Sequence, residues 1–291
     1  MKNLAKFVLD NAENNQEEVK KILVELHERG ESVEEILEFI RELEQRKIVV
    51  SCPGYRVFDV CGTGGSGKNR INLSTALALK LSKKFKIAKH GNRAASGKVG
   101  SFDLIEKLGL ESCDTPGKVL KNLEEKNVAF VFAPAFHPAL KNLAPIRKSL
   151  SHPTIFNFLG PLLNPVENLT AQMVGISDSS LGDRLAAVAK ILGKNILFVH
   201  DSVFGLDDVS VGGKTFFWKV QKGGIEKGSF VPEDYGVNRV NDFKLISGGD
   251  LTQNIQIFEL LASGRASKAH QDFLEINYRV AEQFFNECME K

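Results

Sequence analysis

The chain has little cysteine, almost no excess charge and no apolar run long enough to cross a bilayer. Its four cysteines, Cys52, Cys61, Cys113 and Cys288, stand far apart and form no CxxC pair. That spacing argues against a disulfide framework or a zinc site and suits buried, reduced thiols. A formal net charge of +2 gives no electrostatic case for binding nucleic acid or an anionic membrane surface. Met1-Lys2-Asn3 leads into a polar, acidic helix rather than an apolar h-region, so no signal peptide is expected. No internal repeat or low-complexity tract is visible. These absences leave a soluble, cytoplasmic protein with no membrane partner as the expectation. The 291 residues, 43% hydrophobic and 25% charged, suffice for one large domain or for a large and a small one.

Residues 1–48 read as wholly helical. Val19, Ile22, Leu23 and Leu26 recur at helical spacing, and Ile36, Leu37, Ile40 and Leu43 do so again. Ser32, with Glu35 three residues on, reads as a capping box. Pro53-Gly54 marks a linker, and from Tyr55 strands and helices alternate. Strands are predicted at 57–61, 86–89, 128–133, 173–176 and 196–200, and helices at 74–81, 101–108, 116–125, 138–150 and 181–192. This alternation predicts an α/β fold with a mainly parallel sheet flanked by helices, and ligands beyond the carboxyl ends of its strands. The segment 157–165 reads as an apolar loop packed between two bodies. Beyond Asp208 the chain reads as β-rich, with a strand at 214–220, a turn at Gly223-Gly224 and two closing helices from about Asp250 and Lys268. Trp218 and the phenylalanines read as core.

The stretch 58–101, FDVCGTGGSGKNRINLSTALALKLSKKFKIAKHGNRAASGKVGS, holds most of the chemistry. Two predicted strand ends deliver glycine-rich loops, small hydroxyls and the cations Lys89, Arg93 and Lys98 to one place. Glycines let backbone N–H groups approach an anion, and a helix N-terminus adds partial positive charge. Taken alone, the first loop suits either a tight strand-to-helix turn or a phosphate cradle; it lacks the GK[ST] ending of a P-loop and does not fit GxGxxG.

DVCGTGGSG with INLSTA, then KHGNRAASGKVGS, FAPAFHPALKNLAPIRKSL, TIFNFLGPLLNP and GLDDVS, in that order, resembles the anthranilate phosphoribosyltransferases over most of the chain. The resemblance implies transfer of the phosphoribosyl group of phosphoribosyl diphosphate to the amine of anthranilate, with diphosphate leaving, in tryptophan synthesis. It implies magnesium, a homodimer, and a small all-helical domain (1–48 with about 137–163) hinged on an α/β domain (49–136 and 164–291). Alternatives are a divergent paralogue that binds nucleic acid and a transferase with another aromatic acceptor.

Carried over by position, the resemblance places Gly62 where the two substrates meet. Gly65, Ser66, Arg70, Asn72, Leu73, Ser74 and Thr75 would contact phosphoribosyl diphosphate, as would Lys89, His90, Gly91, Asn92, Arg93, Ala94, Ala95, Ser96, Gly97 and Ser101. Gly62, Asn92, His137 and Arg147 would hold anthranilate, with Arg147 on its carboxylate, and Ser74, Asp207 and Asp208 would hold magnesium. No residue is expected to act as a general acid or base, because an aromatic amine is largely unprotonated near neutral pH. Read without the resemblance, Arg147 also suits a helix C-terminus, Asp207-Asp208 a turn, and His137 beside Pro138 a structural role. The chain departs from the family pattern at Ser66, where Asp is common, at Arg70, where a small hydroxyl is common, and at Asp208, where Glu is usual.

Overall fold

Three amphipathic helices, α1 (Leu4–Asn11), α2 (Gln16–Arg29) and α3 (Val33–Glu44), open the chain in the computed structural model, which describes residues 3–93 and 100–290. The capping box on α3 forms: the Ser32 hydroxyl accepts from Glu35 N–H at 3.2 Å, and the Glu35 carboxylate accepts from Ser32 N–H at 2.9 Å. Then follow β1 (Val57–Gly62), α4 (Leu73–Leu81), β2 (Lys86–Gly91), α5 (Ser101–Lys107), β3 (Ser112–Cys113), α6 (Pro116–Lys126), β4 (Val128–Phe132) and α7 (Ala133–Phe136). After α8 (Leu143–Ser149) and α9 (Phe156–Leu159) come β5 (Ala171–Gly175), α10 (Gly182–Ile191), β6 (Ile196–Asp201), β7 (Thr215–Gln221), β8 (Gly224–Phe230), α11 (Leu251–Ala262) and α12 (Lys268–Met289).

The sheet runs β3-β4-β2-β1-β5-β6-β7-β8; every pairing from β3 to β6 is parallel, and β7 and β8 add an antiparallel hairpin. The α/β class with a mainly parallel sheet is therefore as expected. Alternate strand residues bury on opposite faces. Phe58 and Val60 pack with Leu77 of α4 and with Phe284 and Phe285 of α12 on one face. Val174, Ile176, Ile196 and Phe198 pack with α10 and with the buried stripes of α1–α3 on the other. That second cluster also takes in Leu143, Ile146, Phe156 and Leu159, so residues after Phe136 lie in one core with the N-terminal helices. Among the described residues no helix is long and apolar enough to cross a membrane.

Besides the short β3 and α7, which the sequence reading does not contain, two segments differ from it. The helix expected at 138–150 is divided into a 3-10 turn, Pro138–Leu140, and α8, because Pro145 has no N–H to donate and sits only in a helix's first turn. The segment 157–165, read as a loop, is mostly helical: α9 runs on into a 3-10 turn, Gly160–Leu163. Pro161 opens that turn at a position where a missing N–H costs nothing.

Candidate active site

Strand order decides which loops meet. β4, β2, β1, β5 and β6 lie side by side, so the segments leaving their carboxyl ends adjoin. β1 and β5 end in register at Gly62 and Gly175, and β2 ends at Gly91 opposite Phe132 of β4. Across the first pair runs the 207–208 segment that follows β6. A Cβ on Gly175 would lie 1.8 Å from the Asp207 carbonyl oxygen, and one on Gly62 would lie 2.2 Å from Asp207 Oδ2. Only glycine at both positions lets the Asp207 peptide and side chain lie over the strand ends.

The glycine loop then folds back on the acidic pair. Gly64 N–H donates to Asp207 Oδ2 at 2.9 Å, Arg70 Nη2 to Asp207 Oδ1 at 3.1 Å, and Arg70 Nε pairs with Asp208 Oδ2. All three side chains are largely removed from water: 19% exposed for Arg70, 4% for Asp207 and 7% for Asp208. Burial works against the guanidinium's charge, but the two carboxylates outweigh it and raise the Arg70 pKa above its usual value. Burial pushes the Asp208 carboxyl up, with Asp207 adding to the effect and Arg70 opposing it. Ser74 lines, with Asp207 and Asp208, an internal cavity of about 10 Å³, room for one water at most. Among the described residues no group of three or more His, Cys, Asp or Glu is placed to hold a metal ion. With a guanidinium across both carboxylates, the Ser74, Asp207 and Asp208 set does not fit a resident magnesium ion as it stands.

On the other side of β1, Lys89 is buried, and burial lowers its pKa while Asp59 opposes the shift. The rings of His90 and His137 meet at 5.3 Å between centroids, and His90 Nε2 is buried without a hydrogen-bond partner. Arg147 lies over the Phe156 ring at 5.7 Å and donates to Asn157 Oδ1 at 3.4 Å. Its Nε is buried without a partner, and burial lowers its pKa. Among the described residues no carboxylate pairs with it. A half-buried guanidinium on an aromatic face with no counter-ion is a ready carboxylate receptor.

Residues 54–287 match the family model described as glycosyl transferase family, a/b domain. An anthranilate phosphoribosyltransferase of Dictyoglomus turgidum is 40% identical over 275 residues, 92% of this chain and 80% of that protein. One from Bacillus mycoides is 41% identical over 266 residues, 91% and 77% of the two chains. The chain belongs to the anthranilate phosphoribosyltransferase family. Its fold matches the Thermus thermophilus member with a TM-score of 0.81 at 29% identity, over 99% of this chain and 92% of that one. The Saccharomyces cerevisiae member, solved in complex with PRPP and Mg, matches with a TM-score of 0.84 at 27% identity, over 96% and 80%.

Against the residues expected from the family's motifs, the structure brings Gly62, Arg70, Asp207 and Asp208 into one cluster, with Ser74 on the cavity beside it. Gly65 approaches Ser177, and a Cβ on it would lie 3.5 Å from the serine hydroxyl. Ser66 is half-buried on the same loop. Asn72 precedes α4; Thr75 is fully buried and donates to Asn72 Oδ1 at 3.0 Å. Leu73 is a core residue whose N–H is bonded to Ile71 O at 2.8 Å, which leaves a ligand little of it to touch. The Ser101 hydroxyl donates to the Asn92 carbonyl at 3.2 Å and lies beside Gly91, holding the end of β2. Arg93 is turned outward to Asp103 at 3.6 Å and to Glu106. Ala94, Ala95, Ser96 and Gly97 lie outside the described residues.

Several positioning residues escaped the sequence reading. Asp59, fully buried, accepts from His90 N–H at 3.2 Å, from Asn164 Nδ2 at 2.9 Å and from Gln172 Nε2 at 3.0 Å, locking β1, β2 and β5 together below the site. Asn277 of α12 accepts from Val209 N–H at 2.9 Å and donates to Val209 O at 3.1 Å, fixing the acidic segment. Their only signal was polar residues inside otherwise apolar periodic runs. A larger groove of about 360 Å³, near Asp183, Phe217 and Trp218, contains none of the expected site residues.

Proposed function

We propose that this chain transfers the phosphoribosyl group of phosphoribosyl diphosphate to the amine of anthranilate, releasing diphosphate, as a step in tryptophan synthesis. Beyond family membership, the observation that carries the acceptor is Arg147, a guanidinium on the Phe156 ring with a buried, unpartnered Nε. An aromatic acid satisfies both features: its carboxylate takes the planar fork and its ring extends the apolar surface. The donor's phosphates are assigned to the glycine loop at 62–67, the N-terminal turn of α4 with Asn72, Ser74 and Thr75, and to Lys89 of β2, Asn92 just beyond it and Ser101 at the start of α5. Gly62 and Asn92 lie where the acceptor meets the ribose, with His90 and His137 shaping that wall. Residues 1–48 with about 137–163 are the helical domain, and the working form is a homodimer in the cytoplasm.

Catalysis rests on positioning and on charge. The amine lone pair is available near neutral pH, so the site need only align it with the ribose carbon and stabilise the diphosphate as it departs. Magnesium, present with PRPP in the structure of the yeast relative, would supply positive charge against the donor's diphosphate. The experiment is loss of anthranilate fluorescence on mixing with phosphoribosyl diphosphate and magnesium. Arg147→Ala should raise the KM for anthranilate about 10- to 100-fold, the equivalent of the ~1.5–3 kcal/mol of a charged hydrogen-bonded contact, and leave the KM for the donor nearly unchanged. Turnover with an unaltered anthranilate KM in that variant would remove the acceptor assignment, and no turnover by the unmodified chain would remove the reaction.

A further inference from the structure

Arg70 reaches the Asp207–Asp208 pair from 137 residues away in the chain, and both ends of the contact are held. Its backbone forms an antiparallel bridge with Ser247, while Gly248 N–H donates to Asn69 O at 3.2 Å and Ile71 N–H to Ile246 O at 3.4 Å. The acidic segment is fixed by Asn277 on Val209 and by the glycine approach at positions 62 and 175. Between these anchors the guanidinium spans both carboxylates, one donor to each, and Gly64 N–H takes the remaining oxygen of Asp207. A planar, weakly hydrated cation with several donors can bridge two buried carboxylates where a compact, strongly hydrated ion would have to shed water first. A divalent cation at this pair would have to expel a guanidinium that is itself mostly buried, against two ion pairs and a backbone clasp.

We propose that Arg70 is the resident cation of the Asp207–Asp208 pair, occupying in the free protein a place that would otherwise bind a divalent metal. Arg70 and the metal are then alternatives for one site, and the free chain holds no metal at this pair. This holds for the free protein, whichever acceptor the transferase uses.

Manganese(II) is the probe, because unbound ion is counted directly by electron paramagnetic resonance without turnover. The full-length chain should bind Mn²⁺ no more tightly than its Asp208→Asn variant. Arg70→Gln, close in length but neutral, should gain one site per chain at least tenfold tighter than anything in the parent, and Arg70→Gln/Asp208→Asn should lose it. Arg70→Lys keeps a charge at the pair and should gain no such site. Stoichiometric Mn²⁺ binding by the parent that disappears in Asp208→Asn overturns the proposal, as does a folded Arg70→Gln that gains no site. Should circular dichroism show Arg70→Gln unfolded, the parent against Asp208→Asn decides: equal binding supports the resident cation and a difference overturns it.

Discussion

At the scale of single residues, the polar groups below the site are paired by position rather than by sequence neighbourhood, and their ionisation follows burial. His137 is 3% exposed, and burial holds its imidazole down to about 4, against 6.5 for a free histidine. His90, fully enclosed beside it, is lowered well below its usual value, first by burial and then by His137. Both rings are therefore neutral at physiological pH. The unfolded chain takes up a proton at each histidine as pH falls below about 6.5, while the folded chain does not, so stability falls with pH across that range. For His137 alone the loss between pH 7.5 and pH 5 is about 2 kcal/mol, at about 1.4 kcal/mol per pKa unit. Urea unfolding of His137→Gln at the two pH values should show that part of the slope gone, whatever the variant's stability at pH 7.5. A slope equal to the parent's would mean that His137 protonates freely in the folded state. The partners of these residues were hidden in the sequence because they are distant: Asp59 meets Gln172 across 113 positions, and Arg70 meets Asp208 across 138. The motifs showed which residues gather at the strand ends, while the ion pair that Arg70 makes depends on the closure of two loops.

At the scale of elements, α11 acts as a clasp on the side of the site proposed for the donor. Asn254, 3% exposed, accepts from Asn72 N–H at 2.8 Å and donates to Gly248 O at 2.9 Å. One side chain thus ties the start of α4 to the segment that bridges Arg70. Asn254→Ala leaves a half-buried donor (Asn72 N–H) and a buried acceptor (Gly248 O) without this partner, at a cost of about 2 kcal/mol in stability. Because α4 begins at the residues assigned to the diphosphate, the variant should raise the KM for phosphoribosyl diphosphate several-fold and spare that for anthranilate. Steady-state kinetics with each substrate varied in turn, beside a thermal melt, checks both halves; equal changes in the two KM values would reduce the clasp to general destabilisation. The central strands and the longer helices were legible because their apolar residues repeat with period two or near 3.6. The two-residue β3 is too short to carry a pattern, and the helical turns at 156–163 hold Asn157, Gly160 and Pro161 among apolar residues, and those three read locally as a loop.

At the scale of the molecule, the helical start of the chain and the sheet share one hydrophobic cluster, running from α1–α3 through Leu159 and Leu185 to Phe198 and Trp218. Phe39, fully buried, meets Phe156 edge-on at 5.4 Å within it. The two regions differ in sequence pattern, but shared packing across the seam has no sequence period, and it makes their stabilities inseparable. The single tryptophan lies on this seam, its indole N–H donating to Asp183 at 2.6 Å. Its fluorescence therefore reports the α10–β7 contact, while far-UV circular dichroism reports all the helices. Phe39→Ala should cost about 3–5 kcal/mol, as for other buried aromatic truncations, and shift both signals to the same lower denaturant midpoint. A circular dichroism transition that moves while the tryptophan transition stays would show that the N-terminal helices unfold separately. The site, with its proposed acceptor side on α8 and α9 and its proposed donor side on the sheet, would then be assembled by docking of two bodies rather than by one cooperative fold.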